Sequence, residues 1–134
     1  IFYHGNNLRR INLSGVCMYL YRLDLSKNRI GMFTFETFSD CLMLHDLDVS
    51  WNKITSVTVG TFERLKNIKN INIAGNKLHV LLPNAFEGPN YLNYFNVSSN
   101  QIKSIMSNSF IDIHGLCVLD LSQNKIKVIE SNCY

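Results

Sequence analysis

One short pattern recurs along this chain at a constant spacing, and it limits the possible folds more than any other feature. Its form is LxxLxLxxNxI, in which other apolar residues replace some of the leucines and isoleucines. It occurs at residues 20–30, 44–54, 68–78, 92–102 and 116–126, and a partial copy at residues 1–8 aligns with residues 23–30 at a slightly shorter spacing. A fixed period of this length indicates stacked units, each of which buries its apolar side against its neighbours.

The middle of each copy predicts a β-strand. Apolar and polar residues alternate there, as expected for a strand with one buried face and one exposed face. One strand per coil would stack into a parallel sheet, with neighbouring strands about 4.8 Å apart. We expect about six such strands. The side chains between the core leucines then form the exposed face of this sheet, which is called the concave face below.

Two further columns of residues complete each coil. Where the chain leaves the strand, a buried amide can satisfy backbone groups of adjacent coils, and such asparagines occur at Asn6, Asn28, Asn52, Asn76, Asn100 and Asn124. On the outer side, an aromatic column predicts a stacked spine, formed by Phe38, Phe62, Phe86, Phe110 and Tyr134. Both columns predict that stability comes mainly from contacts between neighbouring coils.

These columns resemble the typical class of leucine-rich repeats of animal extracellular proteins, whose form is LxxLxLxxNxIxxIxxxxFxxL with the same period as here. Toll-like receptor ectodomains, insect immune repeat proteins, guidance proteins and small matrix proteoglycans share this class. The resemblance covers essentially the whole chain. It implies an α/β-type leucine-rich-repeat solenoid, with a curved parallel sheet on the concave face and mostly irregular or short 3-10 segments on the convex face.

The repeat pattern predicts a single solenoid over residues 1–134. The expected units are a partial repeat at 1–19, full repeats at 20–43, 44–67, 68–91 and 92–115, and a partial repeat at 116–134. The cysteine-rich flanking modules that usually cap this family are not recognisable. Because solenoids need polar caps for solubility, the chain is expected to be a fragment of a longer array; alternatively, a partner covers its ends.

Composition narrows the possible partners. Hydrophobic residues make up 46% and charged residues 17%, as in a globular protein. The net charge of +3 is too small to indicate nucleic acid, so no nucleic-acid partner is expected. No apolar run approaches the roughly 18 residues of a membrane span, so no span is expected in this chain.

Sequence motifs of catalysis are absent. The chain has no GxGxxG, phosphate-binding loop, HExxH or GxSxG motif. Its histidines, His4, His45, His79 and His114, occupy different repeat positions, and none of them has metal-ligand spacing to another. His114 and Cys117 come closest to a ligand pair but lack further partners. We therefore expect no enzyme activity, no cofactor and no metal site.

The exposed strand positions predict a binding surface, called the concave patch. Its residues are Arg22, Asp24, Asp46, Asp48, Trp51, Asn72 and Tyr94. Carboxylates on adjacent strands repel one another, and an exposed aromatic bordered by charge is a common central contact of protein interfaces. In the alternative interpretation, the acidic column is a solubilising choice and Trp51 covers a local gap. Too few oxygen ligands are evident for a calcium site.

A row of basic residues follows the asparagine column and is called the basic edge. It consists of Arg29, Lys53, Lys77, Lys103, Lys125 and Lys127. Such a row could contact sulfated glycans or phosphate groups. The alternative is a solvated edge that discourages edge-to-edge association. No aromatic residues are interleaved with the row, which argues against nucleic acid.

Two sequons and one cysteine pair suggest covalent features of a secreted protein. Asn12 and Asn96 each begin an Asn-x-Ser sequence, on the outer side and on the concave face respectively. A glycan on Asn96 would leave the Trp51 end of the concave face for binding. Cys17 and Cys41 share one repeat position in neighbouring coils, within disulfide reach. Alternatively, each is simply a small buried apolar residue.

These features together predict a protein-binding module of an extracellular or cell-surface protein. The family resemblance favours an innate-immune receptor-like role, with a protein ligand or co-receptor and either homo- or hetero-dimerisation. One alternative is an adhesion or matrix-organising scaffold. Another is a regulatory repeat domain within a larger chain.

Overall fold

The structure is a computed structural model that describes residues 1–110 and 113–133. It is a stack of coils in which every strand pairs parallel to its equivalent in the next coil. Strands of the principal sheet are β1 (Arg22–Asp24), β2 (Asp46–Asp48), β3 (Asn70–Asn72), β5 (Tyr94–Asn96) and β7 (Val118–Asp120). The predicted solenoid is thereby confirmed.

The register of the principal sheet follows the period of the sequence. Leu23 pairs with Leu47, which in turn pairs with Ile71, and the same step continues along the sheet. Among the described residues the order is β1-β2-β3-β5-β7, with five strands rather than the expected six. The first partial repeat contributes only an isolated parallel bridge between Phe2 and Asp24.

A second, smaller sheet was not expected from the sequence. Beyond the asparagine turn, three further strands pair parallel with one another, each in a successive coil. They are β4 (Val80–Leu81), β6 (Ser104–Ile105) and β8 (Val128–Ile129). These segments were expected to be irregular, because two residues are too few to show a period in the sequence. Stacking equivalent backbone segments at one spacing lets their amides pair.

The asparagine column forms the predicted ladder. In each coil the side-chain Nδ2 donates to a carbonyl of the preceding coil, as from Asn76 to Val49 at 3.1 Å. The side-chain Oδ1 accepts a backbone N–H that also belongs to the preceding coil, as Asn76 does from Ile54 at 3.0 Å. From Asn28 to Asn100 these side chains are buried, and each amide oxygen accepts a backbone N–H that would otherwise lack a partner. Asn124 is half-buried and forms the same bonds. Asn6 is the exception: it is exposed and donates only to carbonyls of its own coil.

The aromatic column is stacked as predicted. Phe38, Phe62 and Phe86 have successive ring centroids 5.9 and 5.8 Å apart, and Phe110 follows Phe86 at 6.5 Å. All four rings are buried. Tyr134, expected as the last member, lies outside the described residues. The outer side also carries one short 3-10 helix at Phe35–Phe38, as the family resemblance implied.

A disulfide joins Cys17 and Cys41, whose Cα atoms lie 4.6 Å apart. Both cysteines are buried, as are Leu65, Pro89 and Ile113 at the same repeat position. The bond links the segments that lead into β1 and β2. It therefore holds together the two coils that carry most of the concave patch. The other cysteines are not disulfide-bonded: Cys117 is exposed and Cys133 is buried.

Candidate binding face

The strands place the strand residues of the concave patch in two columns. In the first column, Arg22 pairs with Asp46, followed by Asn70, Tyr94 and Val118. The second column contains Asp24, Asp48, Asn72, Asn96 and Asp120. Residues of the first column are mostly exposed, whereas those of the second are half-buried. The sheet thus brings all the strand residues of the patch onto one surface.

The second column has a structural role that sequence reasoning missed. In every coil its side-chain Oδ1 accepts the backbone N–H of the residue two positions later, at 2.9 to 3.1 Å. These Asx-turns bend the chain away from the strand. The signal was available, since only Asp and Asn occur at this position in the five coils. The solubilising interpretation is therefore incomplete: the turn requires an acceptor oxygen there.

Neutral side-chain amides donate to two of the carboxylates of the patch. Asp46 accepts a hydrogen bond from Asn70, and Asp48 accepts one from Asn72 at 3.1 Å. Asp24 lies 3.6 Å from a ring nitrogen of His4. These partners offset part of the repulsion expected between adjacent carboxylates. At the other end of the column, hydrogen bonds from Ser122 lower the pKa of Asp120 below its ordinary value, which keeps it ionised.

Trp51 rests on the neighbouring coil. Its indole lies against Gly75, where an added Cβ would come within 2.5 Å of ring atom Cδ2. Both residues have positive φ, 56° at Trp51 and 67° at Gly75, as do the equivalent Lys27, Ser99 and Gln123. Trp51 therefore has a packing partner in the next coil. The absent side chain at Gly75 makes room for the ring, and 57% of the residue stays exposed.

Arg22 and Tyr94, in different halves of the first column, differ in character. Arg22 directs its guanidinium carbon to the ring of Phe2, 6.0 Å from the centroid, and not to Asp46 beside it. Tyr94 is 36% exposed, and its hydroxyl accepts a hydrogen bond from Asn96 at 3.2 Å. The face is therefore charged at β1 and β2, and more apolar and aromatic at β5 and β7.

The basic edge is arranged in two adjacent columns. Arg29, Lys53, Lys77 and Lys125 share one column, in which each backbone N–H donates to the preceding coil at 2.8 to 2.9 Å. Gln101 interrupts this column. Lys103 and Lys127 belong to the next column. All six side chains are exposed, and none forms an ion pair within residues 1–110 and 113–133.

The sequon asparagines lie on opposite sides. Asn12 is exposed in a turn on the outer side, and its Oδ1 accepts the N–H of Ser14 at 2.9 Å. Asn96 is half-buried on the concave face, and its Oδ1 accepts the N–H of Ser98 in the same way. Of the two, Asn12 is the more accessible.

A cluster of exposed apolar residues beside the disulfide was missed by sequence reasoning. It lies where the chain enters β1 and β2 and consists of Met18, Tyr19, Tyr21, Leu42 and Met43. Tyr21 stacks on His45 with ring centroids 4.0 Å apart. The available signal was the pairing of apolar residues directly after each cysteine, outside the repeat pattern. Large apolar residues that lie together on a surface often mark interfaces.

No group of three or more metal-binding side chains assembles among the described residues. The histidines remain in separate coils, at the positions that the repeat gives them. None of the helices in the described part of the chain is long and apolar enough to cross a bilayer.

Comparison with known proteins agrees with this geometry. A family model described as leucine rich repeat matches residues 19–78, 43–102 and 90–134. The chain belongs to the leucine-rich-repeat family. The matched segments include all five strands of the principal sheet, so the family pattern and the observed coils coincide.

Three solved structures illustrate the range of leucine-rich-repeat proteins with this fold. A chain in a TLR13–ssRNA13 complex is 24% identical to the present chain, and the two superimpose with a TM-score of 0.66 over 86% of the present chain. An octameric complex of latrophilin 3, Unc5D and FLRT2, the last contributing leucine-rich repeats, contains a chain 27% identical, with a TM-score of 0.78 over 85%. A leucine-rich-repeat protein of Leptospira interrogans is 22% identical, with a TM-score of 0.71 over 83%.

This chain is short relative to those neighbours. It covers 20% of the chain in the TLR13 complex, 35% of that in the latrophilin complex and 27% of the Leptospira protein. A comparison of the sequence with curated proteins found no match. The likenesses to the TLR13 chain and to the Leptospira protein, at 24% and 22% identity, bear on the fold alone.

Proposed function

We propose that this leucine-rich-repeat chain is the protein-binding module of an extracellular or cell-surface recognition protein, and that the concave patch contacts the partner. The observation that carries the proposal is Trp51. It is an exposed aromatic residue whose ring rests on Gly75, and it follows Asp48 of β2 by three residues. Aromatic residues of this kind contribute most to affinity at protein interfaces. No catalytic function is proposed.

Replacing Trp51 with alanine is expected to weaken partner binding by about 2 kcal/mol or more, a factor of roughly 30 in Kd. The fold should change little, because most of the indole is exposed. The measurement is surface plasmon resonance against partners found in a screen of secreted and cell-surface ectodomains.

Tyr91→Ala is the matched control, since Tyr91 is a similarly exposed aromatic outside the strands of the concave face. It should leave affinity unchanged. If the two substitutions lowered the affinity equally, or if Trp51→Ala bound the partner with normal affinity, the concave patch would not be part of the interface. A large loss of stability with intact affinity would make Trp51 a packing residue.

The extracellular assignment is supported by the disulfide between Cys17 and Cys41. Disulfides persist in the secretory pathway and outside the cell, and they are rare in the cytosol. An N-glycan on Asn12, and one on Asn96 at the β5 end of the concave face, would agree with this location. A glycan at Asn96 would restrict the partner to the β1–β3 end.

Enzymatic release of N-glycans from the native protein is expected to lower its intact mass and to convert Asn12 to aspartate. Peptide mapping distinguishes this site from Asn96 and from asparagines outside sequons. An unchanged mass, with both sequon asparagines bare, would contradict glycosylation. If the native protein were also cytosolic, the regulatory-domain alternative would replace the extracellular proposal.

Between the two extracellular roles, we favour the innate-immune receptor-like one, on the resemblance of the repeats to Toll-like receptor ectodomains. The adhesion or scaffold role is supported by the likeness to the chain in the latrophilin 3, Unc5D and FLRT2 complex, whose TM-score is 0.78 at 27% identity. The ectodomain screen separates them by partner: an immune or microbial protein supports the first, a matrix or adhesion protein the second. Homo- or hetero-dimerisation is compatible with either.

A further inference from the structure

Charge is distributed unevenly between the concave face and the rest of the chain. Counting the two strand columns and the positive-φ column that contains Trp51, the face has four carboxylates and two cations, a net charge of −2. The carboxylates are Asp24, Asp46, Asp48 and Asp120, and the cations are Arg22 and Lys27. Since the chain carries +3, the remaining surface carries +5. Three of the four carboxylates lie on β1 and β2.

The architecture does not require these negative charges. At Asp24 and Asp48 the Asx-turn needs only an acceptor oxygen, and Asn72 and Asn96 provide the same bond with a neutral amide. Asp46 takes no part in a turn of this kind. The charges on β1 and β2 are therefore additional to what the fold uses.

No cation of the chain neutralises Asp46 or Asp48 within the described residues. The nearest candidate by register is Arg22, which pairs with Asp46 across the sheet. Its guanidinium instead lies over the ring of Phe2. The half-buried carboxylates are held only by neutral amide and hydroxyl donors, so part of their negative potential faces solvent.

Trp51 adds an aromatic surface to this negative region. It follows Asp48 by three residues, and its ring is held in place by the backbone of Gly75. An indole face attracts guanidinium and ammonium groups, and the attraction increases when carboxylates lie nearby. Arginine in particular can stack on an aromatic ring while it donates to carboxylates.

We infer that the β1–β3 end of the concave face binds a basic polypeptide segment of the partner, with an arginine or lysine side chain over Trp51 and beside Asp46 and Asp48. This inference rests on the proposed function and specifies the chemistry of the partner. Complementary charge also raises the rate of association. The positive remainder of the surface would repel the same segment elsewhere, which directs it to this face.

Trp51 is the single tryptophan of the chain, so its fluorescence reports directly on this site. The probe is a short blocked peptide of alternating glycine and arginine, with the glutamate counterpart as its control. Indole-selective excitation should reveal a saturable change with the arginine peptide and none with the glutamate peptide. Absence of a saturable change with the arginine peptide would overturn the inference.

Matched substitutions test the position of the site. Asp46→Asn and Asp48→Asn keep an acceptor oxygen, and each should lower the affinity for the arginine peptide by roughly tenfold. Asp120→Asn removes the same charge from β7, far along the sheet, and should leave the affinity unchanged. Equal weakening by all three would indicate general attraction to an acidic protein surface and would also overturn the inference.

The remaining outcomes separate this inference from the proposed function. A signal that depends on protein concentration without peptide would identify a second copy of the chain as the occupant and would overturn the inference. If the arginine peptide does not bind while Trp51→Ala still lowers the affinity for a native partner, the concave patch binds proteins of another chemistry. If both fail, the proposed function is wrong as well.

Discussion

Replacing Phe62 with alanine is expected to lower the free energy of unfolding by about 3–5 kcal/mol. The ring has no exposed surface, and it lies between Phe38 and Phe86 in the aromatic column. The substitution removes its burial from water and leaves a cavity in the middle of the stack. Because each coil is stable only through its neighbours, the loss affects the interfaces on both sides. Denaturant unfolding with the disulfide intact measures the change.

Phe35→Ala is the matched control for this prediction. Phe35 belongs to the same outer side but is 62% exposed, so its loss should change stability by no more than about 0.5 kcal/mol. Similar losses for the two variants would show that the aromatic column does not hold the coils together. A circular dichroism spectrum of each variant before unfolding confirms that the starting fold is the same.

Replacing Asn76 with alanine is expected to cost a comparable amount, about 3–5 kcal/mol, for a different physical reason. The side chain donates to the carbonyls of Val49 and Ile73 and accepts the N–H of Ile54. All these groups are buried. Alanine leaves the N–H of Ile54 without an acceptor and takes one donor from each carbonyl, although Val49 and Ile73 keep a second donor from Asn52 and Asn100. An unsatisfied buried polar group costs about 1–3 kcal/mol, and each further lost hydrogen bond about 1 kcal/mol. Chemical denaturation again provides the measurement.

Asn124→Ala removes the equivalent hydrogen bonds from the last described coil, where the side chain is only half-buried. Water can replace the lost partners there, so the destabilisation should be clearly smaller than at Asn76. A larger loss at Asn124 than at Asn76 would contradict the view that burial sets the strength of the ladder. Because both variants delete the same atoms, helix or strand propensity cannot explain a difference.

Much of the fold was predictable because stacked repeats make sequence position and spatial position equivalent. A residue one period away is the neighbour in the next coil, as Arg22 and Asp46 show. The principal sheet, its register and the aromatic column therefore follow from the period. The same equivalence correctly placed Cys17 beside Cys41, although spacing alone left the bond between them open.

The features that escaped prediction depend on local geometry within a coil. The second sheet arises from pairs of residues such as Val80–Leu81, which are too short to have a period of their own. The Asx-turns required knowing that the oxygen of Asp48 reaches the N–H of Ser50. The exposed cluster around Tyr19 was missed because it lies outside the repeat pattern, in the segment that leads into β1.

The sequence by itself determined the solenoid, its family and the columns of residues that face the core and the solvent, because burying one apolar face per coil imposes a single period. Only the tertiary structure decided how the exposed side chains of the concave face are held. It placed the indole of Trp51 on Gly75, and it turned Arg22 toward Phe2 and away from Asp46. Such contacts depend on the shape of the neighbouring coil, and no periodic pattern encodes that shape.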